Sequence, residues 1–177
     1  KLHDNKITDV KKPEILIAGC GTGQHSIGTA AGFKDSKVLA IDLSLSSLAY
    51  AKRKTEELGV PNIEYMQADI LHLGKLNKQF DIIESAGVLH HMDSPLQGWK
   101  MLVEKLRSGG LMKIGLYSDL ARQHIVAIRE EIATLGIKTS AADMRGFRKS
   151  IAESHDEHKQ RLVTSNDFFS LSTVRDL

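Results

Sequence analysis

Residues 15–24 read ILIAGCGTGQ: an apolar run, Ile15, Leu16 and Ile17, leads into Gly19-Cys20-Gly21-Thr22-Gly23. A short apolar run stopped by glycine suits a strand buried on both faces. Glycine adopts positive φ without steric cost and lets the backbone approach a ligand closely. The residues that follow, His25–Ala31, carry Ile27, Ala30 and Ala31 at helical spacing, and Gly32 closes them. The glycines therefore form a strand-to-helix turn. The unsatisfied N–H groups that open such a helix point into the turn.

Outward from this turn the same unit repeats. Lys37–Ile41 predicts a second buried strand ending at Asp42. Ser44 is placed to cap a helix whose inner face is Leu45, Leu48, Ala49 and Leu58, ended by Gly59 and Pro61. Asn62–Gln67 predicts a third strand ahead of Asp69, and Gln79–Glu84 a fourth. Ser94-Pro95 opens a helix with the stripe Leu96, Trp99, Leu102, Val103 and Leu106, stopped at Gly109-Gly110. Leu111–Tyr117 predicts a fifth strand. This alternation argues for an α/β chain, a Rossmann-like and mostly parallel sheet with helices on both faces. Right-handed crossovers bring every strand's C-terminal end to one edge, where ligands bind at the reversal of strand order.

After Tyr117 the spacing becomes helical. Ser118 is placed to cap Asp119–Leu135, with Leu120, Ile125, Ile128, Ile132 and Leu135 on one stripe and Gly136 behind it. Ser140 and Asp143 resemble a capping box, opening a helix that bears Met144, Phe147 and Ile151. Ser154–Lys159 reads as a polar loop, Arg161–Ser165 as a short strand candidate and Ser172–Leu177 as the first turns of a helix. The expected organisation is a linker or frayed arm over 1–13, a core over 14–117, and a helical extension over 118–177. The place of that extension in the chain suggests a lid, and its end looks truncated. The missing initial Met points to a piece of a longer chain with further domains.

The 177 residues suit one domain, and 41% hydrophobic with 26% charged residues excludes a disordered or fibrous chain. Lys+Arg total 24 and Asp+Glu 22, a formal charge of +2, which gives no electrostatic case for nucleic acid or a membrane surface as partner. One cysteine, Cys20, forms neither an internal disulfide nor a multi-cysteine zinc site. His155 and His158 stand in no convincing metal-ligand spacing, so no metal is expected. No apolar run approaches the roughly 18 residues of a membrane helix, and no signal peptide opens the chain. A reducing cytoplasm is the simplest home.

The glycine turn alone is compatible with an ordinary tight turn; between a buried strand and a helix it favours a nucleotide-type ligand. The nicotinamide fingerprint G-x-G-x-x-G wants its third glycine where Gln24 stands, which weakens that reading without removing it. Asp42 follows Gly23 by 19 residues at a strand end. A carboxylate there accepts from both hydroxyls of a ribose, or else serves the next helix as a cap. Asp69, in Gln67-Ala68-Asp69-Ile70, either accepts from an exocyclic amine or caps the following turn.

At this point the chain resembles the class I S-adenosylmethionine-dependent methyltransferases of the small-molecule type. The resemblance rests on ILIAGCGTGQ (15–24), VLAIDLS (38–44), YMQADIL (65–71), FDIIESAGVLHHMDSP (80–95) and LRSGGLMKIGLY (106–117). It implies S-adenosylmethionine as cofactor. Gly19, Cys20, Gly21, Gly23 and Gln24 would lie along its amino-acid and ribose part. Asp42 would hold the ribose diol, Leu43 would pack on adenine, Asp69 and Ile70 would bind adenine, and Ser85 would offer a carbonyl to the amino group. Two departures stand out. The acid usual two positions before the first glycine is Ile17, and no convincing antiparallel strand pair follows Tyr117.

A sulfonium methyl is already activated, so placement and exclusion of water come first, and a base serves only some acceptors. His90 and His91, at the substrate edge after the fourth strand, are the candidate catalytic residues; a structural role for both, and a choice between them, stays open. His25 reads as cofactor-proximal or structural, and Tyr117 as a core-edge residue or a pocket wall. The Asp/Asn-Pro-Pro-Tyr segment of amino-methylating relatives is replaced by Ser85-Ala86-Gly87-Val88. The resemblance to the small-molecule type implies a small-molecule acceptor. The competing readings are a non-catalytic cofactor-binding module of a larger protein and a nicotinamide-dependent oxidoreductase.

Overall fold

A computed structural model describes residues 10–118, 120–164 and 168. The chain divides into two compact units, one ending at Leu116 and one beginning at Tyr117.

In the first unit β1 (Glu14–Ala18), β2 (Lys37–Asp42), β3 (Ile63–Gln67), β4 (Phe80–Ala86) and β5 (Leu106–Gly115) form one sheet in the order β3-β2-β1-β4-β5. All four pairings are parallel. Helices α1 (Gln24–Gly32), α2 (Leu45–Leu58) and α3 (Pro95–Lys105) make crossovers, and 3-10 turns cover Ile70–Lys75 and Leu89–His91. Strand side chains alternate between faces. Ile15 and Ile17 pack with Ala30 of α1 and Leu48 of α2. Leu16 and Ala18 pack with Leu102 of α3 and with Ile70, Leu73 and Leu89 of the 3-10 turns. Both faces are thus covered, which is why β1 is apolar at every position from Ile15 to Ala18. Strand order reverses between β1 and β4, and this opens a crevice at their C-terminal ends.

Ser44 caps α2 by accepting from the Ser47 N–H at 3.2 Å, and Gly59 closes that helix at φ 64°. The third crossover differs from expectation. Helix α3 stops at Lys105, not at Gly109-Gly110, and Leu106 already pairs with Phe80 as the first residue of β5. Residues 107–110 form a bulge, because the next partners are Ile82 and Leu111. A Cβ on Gly110 would sit 2.8 Å from the Asp81 carbonyl, so the bulge demands glycine there. The buried face of α3 matches the expected stripe only in part. Leu102 and Gly98 are buried, whereas Leu96 is 75% and Val103 51% exposed. The Met92 sulfur would lie 2.5 Å from a Cβ on Gly98. Gly98, a residue with no side chain, is thus a point of close approach on the buried face of the helix. Strand β5 ends at Gly115, two residues before Tyr117.

The second unit packs α4 (Gln123–Leu135), α5 (Ala141–Ala152) and α6 (Glu157–Val163). Its core is Ile125, Ile128, Phe147, Ile151, Leu162 and Phe168. Ser140 accepts from the Asp143 N–H at 3.1 Å and donates to its carboxylate at 2.7 Å, which opens α5 as expected. Three expectations are corrected. Helix α4 starts at Gln123, because Ser118 closes a turn onto the Ala121 N–H instead of capping a helix. The segment expected as a loop enters α6, because Asp156 accepts from the Lys159 N–H and Leu162 is buried. Residues 161–163 lie in that helix and not in a strand. Asp119, Ser165, the expected helix at Ser172–Leu177 and residues 1–9 of the expected arm lie outside the described residues.

Candidate functional site

The turn after β1 is fastened to β2. The N–H groups of Gly19 and Cys20 both donate to the Ile41 carbonyl at 2.9 Å. Gly19 has φ 81°, and a Cβ there would lie 2.2 Å from a methyl of Val88, so two constraints exclude a side chain. Gly21 has φ 52° and nothing within 4 Å of its would-be Cβ; it borders open space. Gly23 starts α1 with no side-chain cap.

Asp42 ties the turn to the strand end. Its Oδ2 accepts from the Gly21 N–H at 2.7 Å and its Oδ1 from the Ser44 N–H at 2.9 Å. A carboxylate has about four acceptor positions, so these bonds orient the group and leave lone pairs for a ligand. Asp69 follows β3 and caps the next 3-10 turn, its Oδ1 accepting from the Leu71 N–H at 2.9 Å. Its side chain remains one-third exposed, with His72 Nδ1 3.7 Å from Oδ2.

Gly19, Gly21, Asp42, Leu43, Asp69 and Ile70 line a single cavity of about 370 Å³ at the C-terminal edge of the sheet. That volume is within the usual span of small-ligand sites, about 300–1,000 Å³. His91 also lines it, and Leu43 stands on the rim, 66% exposed. Ala68, Ala86, Gly87, Val88 and Met92 complete the wall. Nothing in the residue types had marked these five, although Gly87, at φ 74°, carries the same backbone signal as the glycine turn.

The other expected residues lie elsewhere. Gly23 packs under α2, with Ala51 2.6 Å from its would-be Cβ, and Gln24 is exposed at the start of α1. Cys20 is buried in the core with Ala30 and Leu48. Burial, and then the Asp42 charge, push its thiol up to about 11. The buried Ser85 hydroxyl donates to the Ala18 carbonyl at 3.0 Å and staples β4 to β1. The two histidines diverge. Their ring centroids are 4.2 Å apart at 51°, but only His91 borders the cavity.

In the first unit, two hollows of about 610 and 650 Å³ are larger than this cavity. One lies where the strands begin, beside Asp81 and Gly110; the other lies between the end of α2 and β3. Neither is at the reversal of strand order. Among the described residues no group of three His, Cys, Asp or Glu side chains is placed to hold a metal ion, and no helix is long and apolar enough to cross a membrane.

Residues 15–110 match the family model described as a methyltransferase domain. An uncharacterized protein of Synechococcus sp. is 36% identical over 125 residues, 70% of this chain and 30% of that protein. The ubiquinone biosynthesis O-methyltransferase of Rickettsia canadensis is 32% identical over 120 residues, 68% of this chain and 49% of the relative. Among solved structures, PKMT2 from Rickettsia typhi in complex with AdoHcy superposes with a TM-score of 0.72 at 18% identity, over 93% of this chain and 35% of that one. The chain thus spans less than half the length of these proteins.

Proposed function

The chain belongs to the class I S-adenosylmethionine-dependent methyltransferase family, and from that premise we propose that it transfers the methyl group of S-adenosylmethionine to a small-molecule acceptor. One observation carries the reading: Asp42 and Asp69, from two different strand ends, face one cavity whose floor is the glycine turn. The pair of acceptors fits an adenosyl group. Asp42 takes the ribose hydroxyls through its remaining lone pairs. Asp69 takes the exocyclic amine of adenine, between the apolar side chains of Leu43 and Ile70. Open space above Gly21 admits the ligand against bare backbone.

When bound, the cofactor supplies a sulfonium methyl that is electrophilic without further activation. The protein's part is alignment and removal of water. Ala86, Val88 and Met92 give the cavity an apolar wall. His91, on its border, takes the proton from an acceptor hydroxyl in this reading; His90 precedes it in the same 3-10 turn. A net charge of +2 and the printed name of the Rickettsia relative, an O-methyltransferase of ubiquinone biosynthesis, support a small acceptor over a nucleic acid.

Calorimetry of the full chain with S-adenosylhomocysteine and with NAD tests the reading. Saturable binding of the adenosyl compound alone is expected. Binding of NAD without response to the adenosyl compound overturns it. Transfer of a labelled methyl group to a metabolite extract then separates an enzyme from a binding module.

A further inference from the structure

Two basic runs stand in the sequence, Lys52-Arg53-Lys54 and Arg145-Gly146-Phe147-Arg148-Lys149, and the fold treats them differently. On α2 the charges are answered. Arg53 donates to Glu57 at 2.8 Å and Lys54 to the same carboxylate at 2.6 Å, and both cations stand against the Tyr50 ring. On α5 they are not. Arg145, Arg148 and Lys149 are spaced i, i+3 and i+4 and so share one face of the helix, while Phe147 and Ile151 turn into the core. Among the described residues neither of these two arginines has a carboxylate partner, and Lys149 meets only Glu153, at 3.9 Å with both side chains exposed.

These three cations, with Ala152 and Phe168, line a hollow of about 250 Å³. Phe168 is 6% exposed and belongs to the core of the second unit, so this part of the wall is fixed. The Arg148 guanidinium carbon lies 5.2 Å from the centre of the Phe168 ring. Its Nε is buried and has no hydrogen-bond partner. A surface arginine normally buries its stem and keeps its donors in water. An unmade bond at a buried donor is costly, the more so on a charged group. A small rotation of the side chain presents Nε to a ligand, and the unmade bond favours that rotation.

An oxyanion supplies the missing acceptors. Three cations, less the Glu153 charge, leave two positive charges at the hollow, which a dianion matches. A guanidinium offers paired donors to two oxygens of a phosphate. A phosphate group is largely dianionic at neutral pH, its second pKa being about 6. We propose that the Arg145, Arg148 and Lys149 face of α5 binds a dianionic phosphate group, free or as a monoester. The site lies wholly within the second unit and does not depend on the adenosyl reading.

The test titrates the ¹⁵N-labelled full chain with inorganic phosphate, methyl phosphate and dimethyl phosphate, at fixed ionic strength and pH about 7.5, and reads the arginine Nε–H and backbone amide resonances. The signal lost in Arg148→Lys identifies Arg148. Inorganic phosphate should shift it along a saturable curve. A matching response to methyl phosphate assigns a monoester as the ligand; a response to inorganic phosphate alone assigns the free ion. Dimethyl phosphate, a monoanion, should bind about tenfold more weakly. Arg145→Gln and Arg148→Lys should each weaken phosphate about tenfold, the loss of one charge-assisted hydrogen bond, read in the second variant from the α5 amides. Arg53→Gln should leave binding unchanged. If Arg148→Lys does not fold, the exposed Arg145→Gln keeps the comparison. The proposal is overturned by the absence of a saturable shift, by an equal response to chloride, by dimethyl phosphate binding as tightly as phosphate, or by Arg53→Gln losing as much as the α5 variants.

Discussion

The two edges of the sheet each carry an aspartate bonded to a backbone N–H, and they use it differently. At the edge where strands begin, Asp81 accepts from the Glu14 N–H at 2.8 Å and pairs with Arg107 at 2.7 Å. Burial raises its pKa, but the Glu14 N–H and the Arg107 guanidinium outweigh that and hold the carboxyl below its ordinary value. At the edge where strands end, Asp42 accepts from two peptide N–H groups, Gly21 and Ser44. Peptides orient a carboxylate without cancelling its charge. The first acid closes a bulge in the fold; the second is oriented beside a cavity. A hollow of about 610 Å³ adjoins Asp81 and one of about 370 Å³ adjoins Asp42, so size does not single out the edge that carries Asp42.

The largest effect should come from the chemistry at the C-terminal edge. His91→Ala should lower methyl transfer to a hydroxyl acceptor about 100-fold while S-adenosylhomocysteine affinity, read by calorimetry, stays within about twofold. Equal losses in His90→Ala would remove the distinction between the two rings. Next, Asp42→Ala should weaken S-adenosylhomocysteine by roughly 1.5–3 kcal/mol, and Asp81→Ala should leave it unchanged. The reverse outcome would exchange the roles of the two edges.

Asp81→Asn should instead cost about 1 kcal/mol of stability in urea denaturation, a modest figure because Arg107 is 44% exposed. The sign with pH follows from a carboxyl lowered in the folded state. The contribution is complete above the ordinary carboxylate value of about 4 and disappears as acid passes the lower folded value. Wild type should therefore lose part of its advantage over Asp81→Asn below pH about 4. The smallest effect concerns Cys20. Its thiol is raised when folded, so the unfolded chain ionises first, and stability should decline between pH 9 and about 11. Cys20→Ala should show a shallower decline over that range, and iodoacetamide should label the native thiol at pH 8 far more slowly than the unfolded one.

The C-terminal edge was legible where local chemistry decides it. Gly19 is glycine because of its φ and because Val88 leaves no room; Asp42 and Asp69 end strands whose apolar runs announce them. Legibility fell where a position depends on its neighbours in space. That His91 and not His90 borders the cavity depends on the pitch of one 3-10 turn. Gly98 is a contact point of α3 because it has no side chain, which an apolar stripe cannot show. Residues 107–110 read as helix until their pairing with β4 made them a bulge. In the second unit, Asp156 caps a helix inside a segment whose polarity suggested a loop. Glu84 is visible in the sequence, but its bond to His25 spans 59 residues and only the fold brings the two together.

The contrast between edges has a direct measurement. In a titration of the ¹⁵N-labelled chain with S-adenosylhomocysteine, the amides of Gly21, Leu43, Ile70 and Gly87 should move with one common saturation curve, while those of Phe33, Arg107 and Gly110 stay in place. Shifts confined to the Arg107–Gly110 edge, or none at either edge at saturating ligand, would contradict the claim that an adenosyl group lies against Asp42 and Asp69.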